Sequence, residues 1–150
     1  MHYITAVIKL PTIDDHKGDV IRTPCDVYRL CSDMANLAQE AFHVLLVSSK
    51  NKLIDRSMIT LGISNASLIH PREVFRLAIQ KNASGILVVH NHPSGDTSPS
   101  SEDIRITKQL IEAGKVLDIN LLDHIIIAKG IGDDQEDVVL SLREEGICKF

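Results

Sequence analysis

Two histidines one residue apart, His90 and His92, stand at the end of a short apolar run and just before a proline. No other feature constrains the chain as much. Residues 85 to 89 read Gly-Ile-Leu-Val-Val, an apolar and β-branched stretch of the kind that forms a buried strand. If that strand continues to His92, both imidazoles point to one side, because side chains at i and i+2 share a face of the pleat. Pro93 ends the strand by removing a ladder donor. Ser94-Gly95-Asp96-Thr97-Ser98-Pro99 then supplies turn formers with no apolar member, so the chain leaves the sheet as a loop. From Pro99 onward the pattern predicts a helix, capped by Ser98 or Ser100, in which Ile104, Leu110 and Ile111 recur at roughly helical spacing until Gly114 stops the run. Asp103 falls in the first turn of that helix. A loop folding back over the strand end brings it beside the two histidines.

Two imidazoles and one carboxylate, with one position left open, is the ligand count of a catalytic rather than a structural zinc site. Zinc held in this way lowers the pKa of its bound water to about 7, so hydroxide is available near neutral pH. Each part also has an ordinary explanation. Ser100-x-x-Asp103 is an acceptable helix capping box, and an isolated His-x-His arises by chance on half-exposed strands. The full set is far more specific: buried strand, His-x-His-Pro, a seven-residue gap, Ser-x-x-Asp, then a helix.

His90-Asn91-His92 with Ser100 and Asp103 resembles the JAMM (MPN+) zinc metalloprotease motif, and the wider string His90-Asn91-His92-Pro93-Ser94-Gly95-Asp96 resembles its bacterial RadC-like branch. Pro71-Arg72-Glu73-Val74-Phe75 and Leu121-Leu122-Asp123-His124 match as well, so the resemblance covers roughly residues 38 to 146. It implies an α/β fold of JAMM/MPN (cytidine deaminase-like) architecture. It also implies Zn2+ as cofactor, His90, His92 and Asp103 as metal ligands, and Ser100 as hydrogen-bond partner of the attacking water or the developing oxyanion. Asn91 is a departure, since many JAMM peptidases carry Ser or Thr there; it is usual in the RadC-like branch and leaves metal binding intact, but it sets this chain apart from ubiquitin-type isopeptidases.

The JAMM pattern also calls for an upstream glutamate on a strand beside the metal. Glu40 opens Ala41-Phe42-His43-Val44-Leu45-Leu46-Val47, an apolar run that reads as a strand. A carboxylate there could take a proton from the water and hand it to the leaving amine. The alternative is a solvated residue at a helix-to-strand junction. The competing Glu73 fits better near a helix start after Pro71, where a carboxylate complements the helix dipole. His124 lies in the apolar run Leu122 to Ile127. It reads as a hydrogen-bonded core histidine; alternatively, Asp123 or His124 orients a ligand imidazole through that imidazole's second ring nitrogen. Asp96 could do the same from the loop. His2, His16, His43 and His70 have no matched partner and read as surface or core residues.

The rest of the chain predicts an α/β sandwich with a mixed sheet. Residues 1 to 22, with one apolar stretch from Ile4 to Leu10, read as an edge strand or loose arm, and residues 23 to 150 as a single domain. Thr23-Pro24-Cys25-Asp26 predicts a helix start, running to about Asn36. A hairpin follows over Glu40 to Thr60, then a helix over Pro71 to about Lys81 that buries Val74, Phe75, Leu77, Ala78 and Ile79. Leu121 to Ala128 and Val138 to Leu142 read as the last strands. Cys25, Cys31 and Cys148 are odd in number and widely spaced, which argues against a disulfide framework or a cysteine zinc site. No apolar run approaches the roughly 18 residues of a membrane span, and the N-terminus lacks a signal pattern, so a cytoplasmic location is expected.

A net charge of -4, scattered lysines and arginines, and only two Tyr, three Phe and no Trp argue against direct nucleic-acid binding. The helix-hairpin-helix region that the resemblance attaches to longer RadC proteins has no room here. Three functions remain at this level. One is a zinc metallohydrolase acting on a peptide or protein amide or isopeptide bond, with Glu40 and Ser100 as its catalytic groups. Another is a non-catalytic zinc-stabilised module that holds a protein tail, and the third a DNA-repair accessory protein. The sequence leaves the oligomeric state open, a homo-oligomer included.

Overall fold

The computed structural model describes residues 16–62, 66–132 and 135–150. Helix α1 (Pro24–Cys31) continues as a 3-10 turn (Ser32–Asn36) into the antiparallel pair β1 (Ala41–Val47) and β2 (Leu53–Leu61). Helix α2 (Pro71–Gln80) leads to β3 (Gly85–Asn91), helix α3 (Ser101–Leu117), β4 (Asn120–Ala128) and β5 (Val138–Ser141). The strands form one mixed sheet in the order β2-β1-β3-β4-β5, in which only β3 and β4 run parallel. Helix α3 makes the crossover that a parallel pair requires. The chain therefore folds as the α/β sandwich that its alternating elements predict.

Alternation along the central strands separates two cores. Phe42, Val44 and Leu46 of β1, with Ile86 and Val88 of β3, pack against Val74, Phe75 and Ala78 of α2 and Ile106 and Leu110 of α3. The intervening Ala41, Leu45, Val47, Leu87 and Val89 pack on the other face against Val27, Leu30 and Cys31 of α1. Every residue of β1 and β3 is buried. Each large apolar side chain among them contributes about 1.5–3 kcal/mol relative to exposure. A one-residue slip would exchange the two faces and forfeit much of that. The cores thus fix the antiparallel register Phe42↔His90. Continued two residues beyond that pair, the same register sets Glu40 opposite His92.

Several local expectations are corrected. Strand β3 ends at Asn91, although the His92 amide still donates to the Ile127 carbonyl at 2.8 Å and so keeps the histidine aligned with the sheet. The helix expected from Pro99 begins at Ser101, because Ser100 is its N-cap. Gly114 does not stop that helix, which runs on to Leu117 and closes at Asp118 in the left-handed region (φ 56°). The glycine is there for space: a Cβ would stand 2.5 Å from the Ile119 carbonyl oxygen. Ile79, expected in the buried stripe of α2, is 53% exposed, whereas Val74, Phe75 and Ala78 are buried. The helix predicted to run to Asn36 ends at Cys31 and tightens to the 3-10 turn. Of the edge strand or loose arm expected at the N-terminus, residues 18 to 21 follow the first: Val20 bridges Lys52 antiparallel, Gly18 and Ile21 donate to the carbonyls of Leu53 and Asn51, and Ile21 is buried. The Ile4 to Leu10 stretch lies outside the described residues.

Candidate metal centre

The site assembles where β1 begins and β3 ends, under the first turn of α3. Asp103 is locked by a complete capping box. The Ser100 hydroxyl oxygen accepts from the Asp103 amide at 3.0 Å, and Asp103 Oδ2 accepts from the Ser100 amide at 2.8 Å. The predicted cap and the predicted ligand are therefore one arrangement, since the hydrogen bonds that start the helix also aim the carboxylate. Asp103 Oδ1 stands 3.4 Å from His90 Nε2, and Oδ2 stands 3.5 Å from His92 Nε2. The two Nε2 atoms are 2.8 Å apart. Glu40 Oε1 lies 3.8 Å from His90 Nε2. One donor atom from each of Glu40, His90, His92 and Asp103 falls within 4.8 Å of the others.

The residues fit a tetrahedral cation. Bonds of 2.0–2.1 Å imply ligand-to-ligand edges of about 3.3 Å, against 2.8, 3.4 and 3.5 Å among the three atoms of His90, His92 and Asp103. His92 Nδ1 is 2.7 Å from the Asp96 carbonyl oxygen, which can only accept, so Nδ1 carries the hydrogen and Nε2 offers its lone pair to the cluster. Burial by itself would push the Asp103 carboxyl up, but hydrogen bonding to His90 and His92 overrides it and holds the group well below the usual carboxylate range. Burial by itself would depress His92, yet the Asp103 carboxylate and the Asp96 carbonyl hold it above its ordinary value. Both shifts show a cluster that draws in positive charge, which a proton or a divalent cation can supply.

The sequence model of one family, described as a RadC-like JAB domain, matches residues 21–147. The chain belongs to that family. The UPF0758 protein of Listeria welshimeri is 45% identical to it over 139 residues, 92% of this chain and 59% of that one. The UPF0758 protein of Caldanaerobacter subterraneus is 46% identical over 131 residues, 87% of this chain and 53% of that protein. The UPF0758 protein of Methanosarcina mazei is 41% identical over 142 residues, 94% and 59% respectively. This chain thus spans somewhat over half the length of the curated relatives it matches. JAB-domain proteins are commonly zinc metallohydrolases.

In this RadC-like domain, Glu40 belongs to the stub before β1 rather than to the strand itself. Its carboxyl is pushed up, chiefly by burial, against the opposing effect of His90 and His92 and with a further push from Asp103. Asn91, met in the sequence only as a departure from the wider JAMM pattern, reaches across to the same stub. Its Oδ1 accepts from the Ala41 amide at 2.7 Å and its Nδ2 donates to the Gln39 carbonyl at 3.0 Å. The residues on both sides of Glu40 are thereby tied to the strand that carries the histidines.

The three residues expected to orient a ligand imidazole divide. His124 does meet one: its Nε2 is 2.7 Å from His90 Nδ1, and its Nδ1 is 2.6 Å from the Thr107 hydroxyl. Asp96 meets His92 through its backbone carbonyl, while its side chain accepts from the Ser98 amide at 2.8 Å. Asp123 is turned away. Its carboxylate accepts from the Ser141 hydroxyl and from the amides of His124 and Arg143, and the residue lines a cavity of about 260 Å³ with Arg22, Thr23 and Arg143. From Asp123 onward the odd-numbered β4 residues face the α1 side of the sheet, as Ile125 and Ile127 do, while Ile126 faces α2 and α3, which is why neighbouring residues 123 and 124 separate. Thr107 was not found from sequence, although its position four residues after Asp103 puts it on the same helix face. Glu73 sits in the first turn of α2, as its helix-dipole role requires.

Among the described residues no helix is long and apolar enough to cross a membrane.

Proposed function

We propose that this domain is a zinc-dependent hydrolase of amide or isopeptide bonds in a peptide or protein substrate, with His90, His92 and Asp103 as the metal ligands. The observation that carries the proposal is the convergence of one donor atom each from Glu40, His90, His92 and Asp103 within 4.8 Å, supplied by three separate segments of the fold. When bound, zinc supplies Lewis-acid polarisation of the scissile carbonyl and a hydroxide source near neutral pH. Glu40 Oε1 takes the proton of the attacking water and returns it to the leaving amine. Its distance of 3.8 Å from His90 Nε2 exceeds the edges made by Asp103, which supports a base beside the ligand set rather than a fourth ligand. Ser100 spends its oxygen on the Asp103 amide, but its O–H hydrogen is left to donate to the oxyanion.

The test is turnover of a zinc-loaded peptide and isopeptide panel by wild type and by Glu40→Gln. The proposal expects cleavage by wild type and loss of about 100-fold or more in the variant, the scale of a positioned general base, with zinc retained. Zinc retention with no cleavage of any panel member by wild type would overturn the enzyme and favour a binding module. Loss of zinc in Glu40→Gln would make Glu40 a ligand instead.

A further inference from the structure

The hydroxyl of Thr107 determines which nitrogen of His90 faces the cluster. Thr107 Oγ1 lies 2.6 Å from the carbonyl oxygen of Asp103 and 2.6 Å from His124 Nδ1. A carbonyl can only accept and a hydroxyl has one hydrogen, so Thr107 donates to Asp103. Towards His124 the hydroxyl oxygen can then only accept, which places a ring hydrogen on His124 Nδ1. His124 is fully buried, and an imidazolium there would lack a carboxylate hydrogen bond, so the ring is neutral and its Nε2 carries a lone pair. At 2.7 Å from that lone pair, His90 Nδ1 has to be the donor. One proton position at each step fixes the next, and His90 Nε2 is left bare among His92 Nε2, Asp103 Oδ1 and Glu40 Oε1.

We infer that Thr107 and His124 are positioning residues that hold His90 in its Nδ1–H tautomer and so make Nε2 the atom presented to the cluster. The inference rests on the metal reading above for its purpose, but not for its geometry. The carbonyl at the end of the relay belongs to Asp103 itself, so the backbone of one proposed ligand sets the tautomer of another. Phe42 stacks on His90 with ring centroids 5.9 Å apart and meets His124 edge-on at 5.8 Å, which keeps both rings in the orientation the relay needs.

The test is a two-bond proton–nitrogen correlation spectrum of the full chain labelled with ¹⁵N-histidine, recorded after chelation, for wild type, Thr107→Val and Thr107→Ser, followed by zinc titration against a competing chelator. Wild type and Thr107→Ser are expected to show His124 and His90 protonated at Nδ1 and bare at Nε2. Thr107→Val keeps the shape but loses the acceptor, so its His124 should shift towards the Nε2–H form and His90 with it, and its zinc affinity should fall about 10-fold or more, the scale of losing a partner behind a ligand. A wild-type spectrum with His90 bare at Nδ1, or tautomers in Thr107→Val unchanged from wild type, would overturn the inference. The wild-type spectrum decides even if the valine variant fails to fold. Expected tautomers in a protein that takes up no zinc would support the relay and remove the metal reading instead.

Discussion

Replacing Asn91 by Ala should cost the domain about 1–4 kcal/mol, and most of that cost should come from a single amide. Asn91 is 1% exposed, and its side chain makes two hydrogen bonds, one from the Ala41 N–H at 2.7 Å and one to the Gln39 carbonyl at 3.0 Å. Ala41 is wholly buried at the head of β1, so its N–H loses its acceptor with no access to solvent, which costs about 1–3 kcal/mol. Gln39 is exposed, and its carbonyl can turn to water, so the second bond is worth about 1 kcal/mol at most. Asn91→Asp separates the two: one carboxylate oxygen still accepts from Ala41, but the other meets the Gln39 carbonyl with no hydrogen to share, and a buried charge is added. The aspartate should therefore be at least as damaging as the alanine, despite its near-identical shape. The assay is urea unfolding followed by far-UV circular dichroism, with zinc content measured on the same samples. Zinc should stay bound, because no ligand is altered, while any turnover that depends on Glu40 falls as its stub loosens. A loss within about 0.5 kcal/mol for Asn91→Ala, the range of ordinary surface changes, would refute the clamp.

Acid should weaken the other side of the sheet through His43. That ring is 1% exposed, accepts from Arg56 Nε at 3.0 Å, and is pushed down to about 4 by burial first and the Arg56 charge second, from an ordinary 6.5. Its folded pKa is depressed, so its contribution is fully present above about pH 6.5 and is lost as pH falls towards 4, for a total of about 3 kcal/mol. Unfolding free energies measured across that window should fall more steeply for wild type than for His43→Gln, and parallel curves would count against the assignment. Gly114→Ala, a change that stabilises most helix interiors by about 1 kcal/mol, should instead destabilise by about 1–3 kcal/mol through overpacking. The added Cβ would stand 2.5 Å from the Ile119 carbonyl and 3.3 Å from the Leu121 amide, neither of which is a flexible side-chain tip. A higher melting temperature for that variant would contradict the close approach.

What could be read from the sequence was whatever local periodicity and capping encode. The strand before His90, the turn-rich loop and the Ser100–Asp103 cap together located three of the four clustered residues, because each signal is carried within a few neighbours. Glu40 needed the β1–β3 register to bring it opposite His92, and only a family resemblance pointed to it beforehand. Asn91, Thr107 and Gly114 depend on what lies across a strand or helix. Asn91 looked like a departure until its amide was seen spanning Gln39 and Ala41. Thr107 carries no local signal of its role, because only β4 sets His124 against it. Gly114 carried the local signal of a helix end, yet its function is to let the chain returning at Ile119 pass close by. Asp123 was misjudged for a simpler reason: on a strand, its neighbour His124 occupies the opposite face.

Metal stoichiometry tests the centre most directly. Elemental analysis of the purified chain, after zinc supply and removal of excess, should find close to one zinc per chain in wild type and in Glu40→Gln, and almost none when His90 and His92 are both changed to Ala. Equal zinc in wild type and in the double variant, or none in wild type, would contradict the account, and the convergence of these side chains would then serve only to start α3 and close the sheet.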